Sequence, residues 1–244
     1  MANDHKLTGR ADIHIHTNLS DGIPTAQQVL DSVAKRGHLD VIAITDHDKL
    51  DASLWAYSQP ARYPFDIIPG VEVTAHKGHV LALWVTQPIP MHLSIPETVA
   101  AIHEQNGVAI LAHPGEFLIG WDQVLRYLCT PSVLLEWGLD GVEVFNAGTM
   151  TPGNNILARR IVRDLGIPLV GNSDAHTLNA IGRGRTFFNG RYADDFRSAL
   201  AAGQTAAEGV RWQLTDYLKL SIKSIPIKRN KSTLQNSPST YPTA

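Results

Sequence analysis

The chain has 244 residues, with 21 Lys and Arg against 23 Asp and Glu, for a formal net charge of −2. That balance excludes a protein that coats nucleic acid with a dominant basic surface, and the single cysteine, Cys129, excludes internal disulfides and thiolate zinc ribbons. No apolar run of membrane-spanning length occurs and the first residues lack a signal-peptide core, so one cytoplasmic domain with a sizeable core is expected.

In chain order, residues 1–10 read as a lead and residues 11–15 as the first strand. His14 and His16 lie two apart, so on a strand they share one face, with Asp12 beside them. The segment 25–36 predicts a helix that follows Pro24 and stops at Gly37, which suits a left-handed cap. Residues 41–45 predict a strand running into Asp46 and His47. The strand 66–73 carries Glu72, and the strand 79–85 opens on His79. Ser94-Ile95-Pro96-Glu97 has capping-box spacing for a helix reaching Asn106, before Gly107. Residues 108–112 predict a strand that leads to His113, and residues 141–145 one that carries Glu143 and leads to Asn146. A helix over 154–165 ends at Gly166-Ile167-Pro168. The strand 169–171 leads to Asp174 and His176, and 185–189 predicts a further strand. After Asp216 there is no acidic residue. One domain is therefore expected over 11–215, then an extension over 216–244 that is disordered from about residue 225.

Repeated alternation of apolar strands and helices implies an α/β fold with right-handed crossovers. An open doubly wound sheet and a closed barrel both fit that pattern. Donor-type residues fall at nearly every strand end, however, and their convergence on one pocket favours the barrel over an open sheet, which spreads them along an edge. The candidate metal donors are His14, His16, Asp21, His47, Glu72, His79, His113, Asp174 and His176. Imidazole and carboxylate suit manganese, zinc or iron. Nine donors exceed the roughly four that one tetrahedral ion takes, so two or three divalent ions are expected, with Glu72 as bridge. Any one of these histidines taken alone would be an ordinary polar or core residue; their recurrence at successive strand ends argues for metal. His5, His38, His76, His92 and His103 have no such context, although His76 could stand in for His79. Glu72 and Asp46 are the candidate catalytic carboxylates. Asp12 and Asp46 could each accept an imidazole N–H, and Asp46 could instead cap a helix. Glu143 and Asn146 read as pocket wall or as outer partners of the donors rather than direct ligands, Ser173 as a positioning hydroxyl. Arg183, in Gly182-Arg183-Gly184-Arg185, could reach a substrate phosphate or simply sit in a turn. No Gly-X-Ser-X-Gly elbow occurs.

Taken together, Asp-Ile-His-Ile-His-Thr with Ser-Asp-Gly, Ile-Thr-Asp-His-Asp, Gly-Val-Glu-Val, Leu-Ala-His-Pro and Gly-Asn-Ser-Asp-Ala-His closely resemble the PHP family, named for its polymerase and histidinol phosphatase domains. The likeness runs from Asp12 to about Gly209. It implies a distorted (β/α)7 barrel with a trinuclear site at the C-terminal ends of the strands. His14, His16, Glu72 and Asp174 would hold one ion, Glu72, His79 and His113 a second, and Asp21, His47 and His176 the third. Relatives resembling nucleoside bisphosphate phosphatases carry a helical cap after His113; the short stretch before Glu143 leaves room only for a small one. The implied activity is a metal-dependent phosphoesterase that hydrolyses a phosphomonoester (a nucleotide, nucleoside bisphosphate or sugar phosphate) by metal-activated hydroxide. The expected partner is a small phosphorylated substrate, nucleotide or short oligonucleotide, with no membrane and no stable nucleic-acid complex. The rival readings are an amidohydrolase-type enzyme, which usually bridges its metals with a modified lysine, and a metal-stabilised module that binds without turnover.

Overall fold

A computed structural model describes residues 7–116, 120–151 and 153–224. The stretch expected to be disordered from about residue 225 lies outside the described residues. Among these, nine strands form one sheet: β1 (Gly9–Asp12), β2 (Val41–Ile44), β3 (Asp66–Ala75), β4 (Gly78–Leu83), β5 (Val108–Leu111), β6 (Gly141–Asn146), β7 (Leu169–Asn172), β8 (Gly184–Phe188) and β9 (Thr205–Gly209). Their order is β7-β6-β5-β4-β3-β2-β1-β8-β9. The helices are α1 (Ala26–Arg36), α2 (Asp51–Tyr57), α3 (Ile95–Glu104), α4 (Trp121–Cys129), α5 (Val133–Glu136), α6 (Asn154–Val162), α7 (Ala193–Ala201) and α8 (Leu214–Ser224). No helix of the described residues is long and apolar enough to cross a membrane.

Every residue of β2 and β5 is buried, as continuous apolar strands covered on both faces must be. Ile42 and Ile44 pack outward on Val29, Leu30 and Val33 of α1. Val41 and Ala43 point the other way and meet Ile13, Ile68, Leu81, Ile110 and Val170, drawn from strands all round the sheet. The sheet has therefore rolled into a nearly closed, distorted barrel with its own apolar filling. Beyond β1 and β7 the rim closes: Ile15 bridges Ala175 in parallel, and the Ile13 N–H donates to Asn172 Oδ1 at 3.1 Å.

Local signals set the helix starts. Thr25 and Gln28 form a reciprocal capping box at α1, which ends on Gly37 at φ 56°. Ser94 and Glu97 do the same at α3. That helix stops at Glu104, before Asn106, which turns left-handed at φ 56°.

The barrel departs from uniform strand–helix alternation. The strands β1 to β3 and β5 to β7 are parallel, but β4 runs antiparallel to both neighbours. Only His76 and Lys77 separate β3 from β4, and two residues can close a hairpin but cannot carry a crossover helix. β8 and β9 add antiparallel beside β1.

Candidate metal centre

The strand ends deliver nine donors to one rim. His14 and His16 follow β1, His47 follows β2, Glu72 lies in β3, His113 follows β5, and Asp174 and His176 follow β7. His79 stands at the start of β4, and the reversal of that strand turns its first residues toward the rim where the parallel strands end. Asp21 comes from the loop after His16. That loop is tied down by Asp46, which accepts from Thr17 N (2.7 Å), Thr17 Oγ1 (2.6 Å) and Ser20 Oγ (2.5 Å). A side chain at Gly22 would strike the His16 carbonyl, so only glycine lets the loop fold back here. His113 and Asp174 both adopt positive φ, 27° and 50°, a strain of about 1–3 kcal/mol each that the surroundings must hold. Glu143 Oε2 accepts the His113 N–H at 2.9 Å, and Asn146 Nδ2 donates to Asp174 Oδ2 at 3.0 Å.

Glu72, only 1% exposed, is the hub. Its Oε2 lies 3.1 Å from His14 Nε2, 3.2 Å from His16 Nε2 and 3.3 Å from His47 Nδ1. Its Oε1 faces His79 Nδ1 at 3.0 Å and His113 Nε2 at 3.1 Å. The two oxygens thus divide five imidazoles between them. Asp174 Oδ1 adds a second carboxylate 3.1 Å from His16 Nε2 and 3.4 Å from His14 Nε2. On the outer side Asp21 Oδ2 sits 3.0 Å from His176 Nε2 and 3.8 Å from His47 Nε2. His76 is exposed and hydrogen-bonds through its backbone to Leu93, whereas His79 touches the hub.

Neighbours fix which nitrogen faces inward. Glu143 Oε1 lies 3.0 Å from His14 Nδ1, leaving Nε2 for the cluster, and the carbonyl of Asp174 accepts from His176 Nδ1 at 2.8 Å, leaving Nε2 for Asp21. Such outer partners set tautomer and ring orientation. Burial would depress the His16 imidazole, but Asp174 and Glu72 beside it push it up to about 10. Burial would likewise lift the Glu72 carboxyl, yet His14, His79 and His47 hold it well below the usual carboxylate range. His113 Nδ1 is buried without a hydrogen bond among the described residues, a cost of about 1–3 kcal/mol, while His16 Nε2 and His79 Nδ1 face carboxylate oxygens at 3.0–3.2 Å without hydrogen-bond geometry. Among the described residues four sets of three side chains bring donor atoms within 4.8 Å of one another, including His14, His16 and Asp174, and His16, Asp21 and His176. Imidazole and carboxylate donors, mutual reach and an orphaned nitrogen all fit divalent ions.

Two expectations about neighbours are corrected. Neither Asp12 nor Asp46 takes an imidazole N–H. Asp12 accepts from the backbone of Ser173 (3.0 Å) and Gly182 (2.8 Å), and Asp46 spends its oxygens on Thr17 and Ser20, so both pin loops. Nor does Arg183 reach the pocket. Its guanidinium donates to the carbonyls of Asn179 (3.2 Å) and Arg211 (3.1 Å) and lies near Asp216. Glu143 and Asn146 are buried behind the donors, bonded to His14 and Asp174, and do not line the cavity. Sequence patterns missed Asn172, whose Nδ2 donates to Glu143 Oε1 at 2.8 Å. They also missed Glu116, which binds Thr149, Thr151 and Asn154. A cavity of about 460 Å³ opens onto the cluster, with Glu116, Met150, Trp212, Tyr217 and Leu220 on its walls.

The family model described as PHP-associated (PHP_C) matches residues 152–205. An uncharacterized protein of Methanocaldococcus jannaschii is 30% identical over 171 residues, 64% of this chain and 93% of that one. A two-domain protein of Bacteroides vulgatus containing a predicted PHP-like metal-dependent phosphoesterase superposes with a TM-score of 0.66 at 20% identity, over 88% of this chain and 69% of that one. The lesion-specific endonuclease Q of Pyrococcus furiosus gives 0.58 at 16% identity, over 87% and 66%. At such identities the two structures speak for the fold alone.

Proposed function

The chain belongs to the PHP family of metal-dependent phosphoesterases, and from that premise we propose that it hydrolyses a small phosphomonoester at the cluster around Glu72. The observation that carries the reading is the division of five imidazoles between the two oxygens of one buried carboxylate, an arrangement suited to a bridge between ions. In this reading His14, His16, Glu72 and Asp174 hold one divalent ion (manganese, zinc or iron), and Glu72, His79 and His113 a second. Asp21, His47 and His176 complete a third. Ions bound there would lower the pKa of a water toward neutrality and offset the charge on phosphoryl oxygens.

The chain's own residues do the remaining work. Glu143 and the Asp174 carbonyl keep the Nδ1 atoms of His14 and His176 engaged, so that Nε2 points inward. Asn146 spans Glu143 and Asp174, with Nδ2 3.0 Å from an oxygen of each, and so holds the spacing of the two carboxylates. His47 and Asp21, the more exposed members, face the cavity. A cavity of about 460 Å³ is of the size small molecules occupy.

Cleavage of a phosphodiester in DNA is the second reading, because endonuclease Q shares the fold and has been solved with a 27-mer duplex carrying an abasic lesion. The expectation of no stable nucleic-acid complex is in tension with that neighbour. A formal charge of −2 weighs against a track for duplex DNA.

The test is phosphate release by manganese-reconstituted protein over phosphomonoesters, 3′,5′-bisphosphates and short oligonucleotides, with an abasic duplex beside them. Release from monoesters is expected. Nicking of the duplex with no release from monoesters would transfer the assignment to the second reading, and silence with ions bound would overturn both.

A further inference from the structure

The cavity is two-sided. One wall is the donor cluster; the other is apolar and comes from the loop after β6 (Met150), the segment leading into α8 (Trp212) and α8 itself (Tyr217 and Leu220). None of these four belongs to a sequence motif, and the hydrolytic step uses none of them. We infer that this wall is a subsite for the leaving group and selects phosphate esters whose alcohol carries an aromatic body; the inference rests on the phosphoesterase reading.

The wall is built in advance. The Trp212 indole N–H donates to the Ser173 carbonyl at 2.7 Å, and its backbone N–H to the Ala147 carbonyl at 3.0 Å. A Cβ at Gly148 would lie 2.7 Å from the Trp212 ring, so glycine is what lets the loop pass beneath it. Tyr217 stands with its ring centroid 5.1 Å from that of Trp212, and Tyr217 and Leu220 both pack on the core group that includes Ala147 and Trp212. The first turn of α8 is pinned by Asp216, fully buried, which accepts from Thr177 Oγ1 at 2.7 Å and the Gln213 N–H at 3.1 Å. A surface already ordered loses little entropy when a ligand settles on it.

Position and charge then narrow the occupant. The Trp212 ring touches His176, edge to face, at 5.6 Å, so the apolar wall begins where the cluster ends. A group joined directly to a phosphoryl held at the cluster would meet it without a spacer. Aromatic rings prefer the tilted contacts that a Trp–Tyr corner offers. Among the described residues lining the cavity Lys77 is the one lysine, there is no arginine, and the Lys77 ammonium is paired with Asp122. A second phosphate on the leaving group would find little to neutralise it. The occupant is therefore an uncharged aromatic body.

The experiment uses the full chain loaded with manganese and compares benzyl phosphate with propyl phosphate, whose alcohols differ little in acidity. The ratio of their kcat/KM values should favour benzyl by about tenfold or more and fall about tenfold in Tyr217→Ala and in Leu220→Ala, the size of effect that apolar pocket contacts carry. Tyr217→Phe, which keeps the ring face, should preserve the ratio. Calorimetry with benzylphosphonate and propylphosphonate reads the same preference without turnover. A wild-type ratio near one, or variants that weaken both esters equally, would overturn the subsite. If neither ester is cleaved while benzylphosphonate still binds in a Tyr217-dependent way, the phosphoesterase reading falls and the subsite stands. Equal binding of the two phosphonates removes the subsite whatever the turnover.

Discussion

Replacing Glu72 by Gln keeps the shape of the hub and removes its charge. In the structure each carboxylate oxygen serves a different group of imidazoles, Oε2 facing three and Oε1 two, all at 3.0–3.3 Å. An amide can offer one oxygen only. Its NH2 end must point hydrogens at nitrogens that need a cation or a lone-pair acceptor. Removing one partner from a buried charge cluster costs about 3–5 kcal/mol, and at 1.36 kcal/mol per decade that is roughly two to four orders of magnitude in ion affinity. Metal content by mass spectrometry after dialysis against micromolar manganese should therefore fall by at least one ion per chain. Phosphate release should drop a hundredfold or more. Circular dichroism should be unchanged, because the barrel filling around Ile13, Ile68 and Ile110 does not include Glu72. A variant that retained both its full metal content and its full turnover would refute the bridging role.

Three further outcomes follow from neighbouring observations. Glu143→Gln weakens the hold on His14 Nδ1 and on the His113 backbone; manganese affinity by calorimetry should fall about 10–100-fold with the fold retained. Gly184→Ala drives a methyl into the Asn172 carbonyl, an overpacking of about 1–3 kcal/mol. It should lower Tm by several degrees and, because Asn172 also supports Glu143, weaken metal binding with it. In the α3 capping box the Ser94 hydroxyl and backbone N–H hold the Glu97 carboxyl below its usual range. That contribution is fully present above the unfolded value, about 4.3, and is lost as pH falls through the lower folded value. The Tm difference between wild type and Glu97→Ala should accordingly be seen at pH 7 and shrink in acid; a difference that grew in acid would contradict the assignment.

What could be read from sequence was local or periodic. The caps at Thr25 and Ser94 involve residues three apart, and the buried strands β2 and β5 are continuous apolar runs. The donors stood out because imidazoles punctuated those runs. What could not be read depended on distant partners. β9, Thr-Ala-Ala-Glu-Gly, has no large apolar residue and is a strand because β8 offers it an edge. Asp46 and Arg183 are the right residue types for chemistry, but Thr17, Ser20 and the carbonyls of Asn179 and Arg211 claim them first. The reversal of β4 was written in the two-residue gap at His76 and Lys77, a signal of loop length that apolarity alone does not reveal. The extension expected from residue 216 begins inside α8, with Asp216 buried against Thr177; the absence of acids farther on said nothing of that anchor.

The closure of the rim between Ile15 and Ala175 has a kinetic consequence. The cluster draws on both sides of that seam, and the Ile13 hydrogen bond to Asn172 joins groups 159 residues apart in the chain. Contacts of such separation form late, since a long loop must be closed before they return any energy. A ribosome must have released nearly the whole barrel before His14 and Asp174 can meet. Ion uptake is then a clock for the final stage of folding. Stopped-flow refolding followed by a metal indicator should report the slowest phase, while circular dichroism sees the helices form ahead of it.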